Sequence, residues 1–220
     1  MYSIPVLFYC FMCIVVGSMI KKLAPEFEGI IKTVLTGGLF LLSVVFMLRG
    51  INCCFIAISV GLLFSTIGDY FLASQENTKN KELFFIIGFL AFLIGYLVYG
   101  VTFLIIGHKS FSLLSVCVIT IISIFQFFTL DRDLLGKNVI PIFLYFIQAS
   151  ILVVGGIAMF FHFNNLVGLL IMQGCFFLYI SDSIIAHNLF RHPFKNSDYL
   201  IMPTYYIGQS LLLFSIITSF

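Results

Sequence analysis

The sequence has few charged residues, no tryptophan and no long polar stretch. Only 9% of its 220 residues are charged, whereas 61% are hydrophobic and the mean hydropathy is +1.17. This composition lies outside the range of water-soluble globular domains and inside that of polytopic membrane proteins. The polar breaks between the apolar stretches are too short to hold a soluble domain. We therefore expect a single transmembrane domain over residues 1–220, with any chemistry inside the bundle or at its rim.

Several classes of function are excluded by what is missing. The net charge is only +2 and the basic residues are scattered, so the clustered basic face needed to bind nucleic acid is absent. The six cysteines lie in apolar runs, without the loop positions of a disulfide framework or the companion histidines of a zinc site. There is also no phosphate-binding glycine loop, no HExxH motif and no GxSxG elbow. We expect no metal, no cofactor and no nucleic-acid partner.

Eight apolar stretches remain when the chain is cut at its charges and turn residues. A helix needs about twenty apolar residues to cross the hydrocarbon layer. The predicted fold is therefore an all-α polytopic bundle of eight transmembrane helices. We expect the first span to be retained rather than cleaved as a signal, since Lys21 and Lys22 follow it and no basic region precedes it. The predicted spans are residues 2–20, 30–48, 53–73, 83–107, 111–130, 139–161, 165–190 and 200–220.

The positive charges of the short loops predict the orientation of the bundle. Lysine and arginine in such loops tend to stay in the cytoplasm. One side has only Arg49 and Lys109, so we place both termini on the non-cytoplasmic side of a cytoplasmic or endoplasmic-reticulum membrane. The other side has Lys21, Lys22, Lys32, Lys79, Lys81, Arg132, Lys137, Arg191 and Lys195.

Two aspartates stand at matching positions of two predicted spans. A gap-free alignment of GLLFSTIGDYFLA with GCFFLYISDSIIA pairs Asp69 with Asp182, and the same offset pairs Gly95 with Gly208. The third and seventh spans run in the same direction, so both acids lie towards the cytoplasmic end. This match favours two parallel four-helix repeats, although the first two helices of each half show no convincing agreement.

An ionised carboxylate inside a bundle is costly, at least about 2.5 to 3.5 kcal/mol on insertion scales, and usually faces a cavity or a partner. The simplest alternative is that Asp69 and Asp182 accept hydrogen bonds from Ser65 and Ser181, or lie close enough to the interface to be hydrated. Two acids at matched positions make a shared function the better interpretation. Other polar residues are predicted in the same layer or nearer mid-membrane: Lys32, Tyr96, Tyr99, His187, Asn188, Tyr205, Tyr206 and Gln209.

Four runs together resemble a known family. GLLFSTIGD, GFLAFLIGYLVY, FFLYISDSIIA and TYYIGQSLL, in this order, are similar to the YhhN-like family of eight-span membrane proteins, known as lysoplasmalogenases. The resemblance is strongest over residues 58–104 and 168–215. The sequence departs from the family in two places: Tyr96 stands where relatives often have histidine, and Thr33 follows Lys32 where relatives often have a Lys-Pro pair.

The resemblance implies hydrolysis of the vinyl ether bond of lysoplasmalogens, which releases a fatty aldehyde and the glycerophospho head group. Protonation of the alkene carbon gives an oxocarbenium ion that water captures. Two carboxylates can divide the work if one is protonated and the other is ionised, as in glycosidases. We therefore predict Asp69 and Asp182 as the catalytic pair, with a lysophospholipid substrate and membrane lipids as partners. The predicted substrate-binding residues are Lys32, Ser65, Tyr99, Ser181, Tyr205, Tyr206 and Gln209.

Two other functions are compatible with the same sequence. The paired acids could bind a proton or cation in a transporter, in which case we expect a helix broken around Gly68 and Asp69 and a route open to both faces. A hydrolase should instead have a pocket that is open on one side and closed beyond. The third alternative is a noncatalytic lipid-binding or scaffold protein.

Overall fold

Eight long helices form the computed structural model of the protein, which describes residues 3–75, 78–110, 112–136, 139–191 and 197–219. The ends of three predicted spans (residues 2, 111 and 220) and two residues of the charge count (Lys137 and Lys195) lie outside the described residues. The helices are α1 Ser3–Leu23, α2 Glu28–Met47, α3 Cys53–Ser74, α4 Lys81–Ile106, α5 Leu113–Phe128, α6 Val139–Phe163, α7 Leu166–Phe190 and α8 Asp198–Ile217. The segments Pro25–Phe27, His108–Ser110 and Arg132–Leu135 are single helical turns.

The predicted eight-helix bundle is confirmed. Seven of the described helices are long and apolar enough to cross a membrane. The fifth predicted span, residues 111–130, forms the 16-residue helix α5. At about 1.5 Å per residue this helix is some 24 Å long, shorter than the roughly 30 Å hydrocarbon layer.

Polar residues before three of the apolar runs explain where those helices begin. The side chains of Asn52, Ser112 and Asn165 accept hydrogen bonds from backbone N–H groups in the first turns of α3, α5 and α7. Such caps satisfy amide groups that have no partner within the helix, and this need is greatest in a membrane. The sequence therefore marks these three helix starts by chemistry as well as by hydropathy.

Six of the helices form a closed ring in the order α2, α3, α4, α6, α7, α8, with α8 packed against α2, and α1 lies outside it against α2 and α8. Helix α5 also lies outside this ring; it packs on α6, and its Ser123 and Gln126 hydrogen-bond Tyr179 of α7. Its described side chains are largely exposed on the outward face, as expected for a helix surrounded by lipid.

Helices α4 and α6 are parallel neighbours, which requires the chain between them to cross the bundle. At one end the rings of Phe89 and Tyr145 lie 5.1 Å apart, and at the other end Gly107 meets Ala158. Helix α5 makes this crossing, because it runs antiparallel to α6. Although it is short, α5 is therefore the fifth helix to cross from one end of the bundle to the other.

The two halves of the chain share one close helix crossing. A Cβ atom on Gly95 would lie 3.1 Å from the carbonyl oxygen of Gly61, and a Cβ on Gly208 would lie 3.0 Å from that of Gly174. Both pairs occupy the positions matched by the sequence offset. The equivalence of the halves is incomplete, since α1 packs on both α2 and α8 whereas α5 packs mainly on α6. Helices α3 and α7 are nevertheless held alike, which gives their aspartates a similar depth.

An aromatic stack along α4 fills the middle of the ring. The rings of Tyr96, Tyr99 and Phe103 follow one another at 6.1 Å between centroids, and all three side chains are at most 1% exposed. Their spacing of three to four residues places them on one face of the helix. This stack closes the bundle below the cavity described next.

Candidate functional site

A cavity of about 610 Å³ lies at the end of the bundle where α2, α4, α6 and α8 begin and where α3 and α7 end. Asp69 of α3 and Asp182 of α7 both line it. The exposed residues Lys21 and Glu26 lie at its rim. The two acids that the sequence places at equal depth therefore share one cavity, which is lined by six helices and by Lys21 of α1 at its rim.

Asp69 is held by hydroxyl donors from two other helices. Its Oδ2 accepts hydrogen bonds from Thr36 Oγ1 of α2 at 2.5 Å and from the Tyr205 hydroxyl of α8 at 3.1 Å. Lys32, one turn from Thr36, is close enough to Asp69 for an electrostatic interaction. This carboxylate is partly buried and has the donors that an ionised group requires.

Asp182 has a different environment. It is only 5% exposed, and its Oδ2 has no hydrogen-bond partner among the described residues. The Tyr145 hydroxyl donates a hydrogen bond to its carboxyl group, the Tyr96 hydroxyl lies close enough to interact with it electrostatically, and both tyrosines line the cavity. Lys32 lies near Asp69, whereas no lysine or arginine of the described cavity wall lies near Asp182. The two acids are therefore matched in position but not in surroundings.

The serines near the aspartates do not serve as their hydrogen-bond partners in the described part of the chain. Ser65 Oγ accepts a hydrogen bond from Gln209 Nε2 at 3.0 Å, and Ser181 Oγ donates to the carbonyl oxygen of Ile201 at 3.2 Å. The first part of the simplest alternative from the sequence, an aspartate that accepts a hydrogen bond from the serine of its own helix, is not the arrangement found among the described residues.

The other predicted substrate-binding residues fall into two groups. Lys32, Ser181 and Tyr205 line the cavity. Tyr99, Gln209 and Ser65 instead form a buried chain below it, in which the Tyr99 hydroxyl donates to Gln209 Oε1 at 3.1 Å. Tyr206 is also fully buried and contributes a long hydrogen bond of 3.5 Å to the carbonyl oxygen of Lys32. The cavity wall does not include this second group, namely Ser65, Tyr99, Tyr206 and Gln209.

Charged residues of both signs stand at the entrance. Lys32 forms an ion pair with Glu28, one turn earlier on α2, and both side chains are partly buried. Lys21 pairs with Asp198, the first residue of α8, at 2.6 Å. The described lining of the entrance thus combines two lysines, Lys21 and Lys32, with two glutamates, Glu26 and Glu28.

Sequence reasoning missed three residues of this site: Thr36, Tyr145 and Glu28. Tyr145 could have been found from topology, because the sixth span begins on the side of the membrane towards which both aspartates lie. Thr36 lies one helical turn after Lys32 and therefore on the same face of α2. The described residues contain no group of three or more His, Cys, Asp or Glu side chains that could hold a metal ion.

The comparison with family models agrees with this architecture. The model of the YhhN family matches residues 27–216, a range that includes both aspartates and the whole described cavity wall except Lys21 and Glu26. The chain belongs to the YhhN family. In this YhhN protein, the matched range begins at Phe27, after α1 and within the turn that follows it. Searches of curated proteins and of solved structures found no match.

Proposed function

We propose that this protein is an integral-membrane hydrolase that cleaves the vinyl ether bond of lysoplasmalogens to a fatty aldehyde and a glycerophospho head group. The observation that carries the proposal is that Asp69 and Asp182, from separate helices, line one cavity in an otherwise apolar bundle. Two carboxylates in different surroundings are what acid-catalysed cleavage through an oxocarbenium ion requires. Membership of the YhhN family supports the same substrate class.

The surroundings of the two acids suggest how they divide the work. Asp69 receives two hydroxyl donors and lies near Lys32, so it is the anion that faces the developing positive charge. Among the described residues, Asp182 Oδ2 has no donor and no lysine or arginine of the cavity wall lies beside this acid, which suits a neutral carboxylic acid whose O–H is free to be given to the substrate. We therefore assign Asp182 as the general acid and Asp69 as the group that stabilises the cation.

The reaction then balances without any further reagent than water. Asp182 transfers its proton to the alkene carbon remote from the ether oxygen, and the carbon next to the oxygen becomes part of an oxocarbenium ion beside Asp69. Water adds to that carbon and returns a proton to Asp182, giving a hemiacetal. The hemiacetal collapses to the aldehyde and the free glycerol hydroxyl. General acid catalysis of this kind contributes about 10² to 10⁴ in rate.

The remaining predicted residues have two roles in this proposal. Lys32 lies at the entrance and binds the phosphate, while Tyr205 and Ser181 stand beside the aspartates. The alkenyl chain lies against the apolar lining contributed by α4, α6 and α7. The buried chain of Tyr99, Gln209 and Ser65 positions α3, α4 and α8 relative to one another instead of contacting substrate.

The geometry supports the hydrolase more than the transporter. Helix α3 is continuous from Cys53 to Ser74, through Gly68 and Asp69, and the aromatic stack of α4 closes the bundle below the cavity. A carrier needs a route to the opposite face. On the charge count, we propose that the cavity faces the cytoplasmic side of the membrane.

The test is aldehyde release by the purified protein in detergent, with a lysoplasmalogen as substrate. Asp69→Asn and Asp182→Asn should each lower turnover by at least about a hundredfold while the proteins still fold. Asp133→Asn serves as the matched control, because Asp133 is an exposed aspartate in the loop between α5 and α6. Wild-type turnover in either cavity variant would end the assignment, and uptake of lysolipid into liposomes without aldehyde release would favour the carrier.

A further inference from the structure

Three residues of α2 stand one helical turn apart on the face that borders the site. Glu28 and Lys32 form an ion pair at i and i+4. Thr36 Oγ1 lies over the next turn, where it donates to Asp69 Oδ2 at 2.5 Å and lies 3.1 Å from the Lys32 carbonyl oxygen. Glu28 and Lys32 line the cavity, and Thr36 is fully buried against it. Along α2 the site therefore has, in order, the Glu28 carboxylate, the Lys32 ammonium group and the Asp69 carboxylate that Thr36 holds.

The spacing of these groups matches that of a lysophospholipid head. Successive turns are about 5.4 Å apart along the helix. A phosphorus atom is five bonds from the ether oxygen at the other end of the glycerol, and an ethanolamine nitrogen is four bonds beyond the phosphorus. Since three backbone bonds span roughly 3.6 Å, each of these separations is about 5 to 6 Å when extended. With the vinyl ether at Asp69, the phosphate reaches Lys32 and the ammonium group reaches Glu28.

We propose that Glu28 and Lys32 read a zwitterionic head group that ends in a primary ammonium, so that the site prefers ethanolamine over choline lysolipids. This inference rests on the proposed function for the position of the substrate. The ion pair of the free protein opens on binding, and each partner exchanges one charged group for another: Lys32 takes the phosphate and Glu28 takes the ammonium. No charge is left unpaired, which keeps the cost of the exchange small.

The chemistry of the entrance favours a primary ammonium for two reasons. An –NH₃⁺ group donates hydrogen bonds to a carboxylate, whereas a trimethylammonium group has no N–H to donate. Quaternary ammonium groups are instead recognised by surrounding aromatic rings. In the described cavity wall, the rings of Phe89 and Phe92 pack on Tyr145 and Tyr205 near the aspartates, and Tyr70, Phe85 and Phe190 also line the cavity. The charged residues that stand together on α2 are Glu28 and Lys32. A purely anionic head group would be repelled by the carboxylates of Glu26 and Glu28.

The experiment measures binding separately from hydrolysis. The probes are 1-O-alkyl lysophospholipids, which lack the vinyl ether and are not cleaved, with ethanolamine or choline as head group. Wild-type protein in detergent should bind the ethanolamine lipid about tenfold more tightly, and Glu28→Gln should remove this difference by weakening only the ethanolamine lipid. Glu82→Gln, a change of the same charge at the start of α4 and outside the cavity wall, should keep the preference.

Each result of this comparison decides the inference. Equal affinity of the wild type for the two lipids, or no binding of either, would overturn it, and this result needs no variant to fold. A preference that survives Glu28→Gln would overturn it as well. If the preference is present and depends on Glu28 but neither vinyl ether lipid yields aldehyde, the proposed hydrolase fails while the head-group site stands.

Discussion

The hydrogen bonds to Asp69 offer the sharpest test of its role as an anion. Thr36→Val and Tyr205→Phe each remove one hydroxyl donor with almost no change of shape. Thr36 is 0% exposed and Tyr205 is 6% exposed, so water has little room to replace either hydroxyl. A hydrogen bond to a charged group is worth about 1.5 to 3 kcal/mol. If the bond is needed in the transition state, each variant should lose roughly tenfold to a hundredfold in kcat.

The assay is aldehyde release over a range of substrate concentrations up to saturation, carried out in the wild-type and in the Asp69→Asn background. In the wild-type background kcat should fall while KM changes little, since neither hydroxyl is placed to bind the head group. In the Asp69→Asn background the same substitutions should add little, because residues that act through one group are not additive. Full activity of both single variants, or equal losses in both backgrounds, would refute the reasoning.

Two further predictions follow from the contacts of the helices. Gly208→Ala should lower the melting temperature of the detergent-solubilised protein, because the new Cβ would lie 3.0 Å from the backbone oxygen of Gly174. Gly37→Ala should not lower it, since the nearest atom to its Cβ would be 3.5 Å away. Equal melting temperatures of the two variants would contradict the close crossing. Tyr145→Phe should lower kcat several-fold through its neighbour Asp182 without changing the head-group preference, and a variant with wild-type kcat would leave Tyr145 a packing residue.

Hydropathy alone was enough to predict the eight helices. Their interiors are apolar because the membrane offers no partner for polar groups, and their starts carry caps such as Asn52 and Asn165. The matched positions of Asp69 and Asp182 also predicted their common depth, since two helices separated by four crossings run in the same direction. The close crossings at Gly95 and Gly208 follow the same offset.

The arrangement of the helices around the ring could not be predicted in this way. In a membrane, the face of a helix that packs on other helices and the face that contacts lipid are both apolar. Hydropathy therefore does not show that α5 lies outside the ring. For the same reason, hydropathy does not show which polar residues line the cavity and which bond a neighbouring helix. Whether Gln209 faces the cavity or a neighbouring helix depends on rotations that only the packed bundle defines, and here it bonds Ser65 and Tyr99.

The most direct test of the central claim is hydrolysis in D₂O by the wild type, Asp69→Asn and Asp182→Asn side by side, with the aldehyde reduced at once and analysed by mass spectrometry. Protonation of the alkene carbon should place one deuterium on the carbon next to the aldehyde in the wild-type product, and both variants should release at least about a hundredfold less of it. Aldehyde without this deuterium, or equal amounts from all three proteins, would contradict the assignment of the two aspartates.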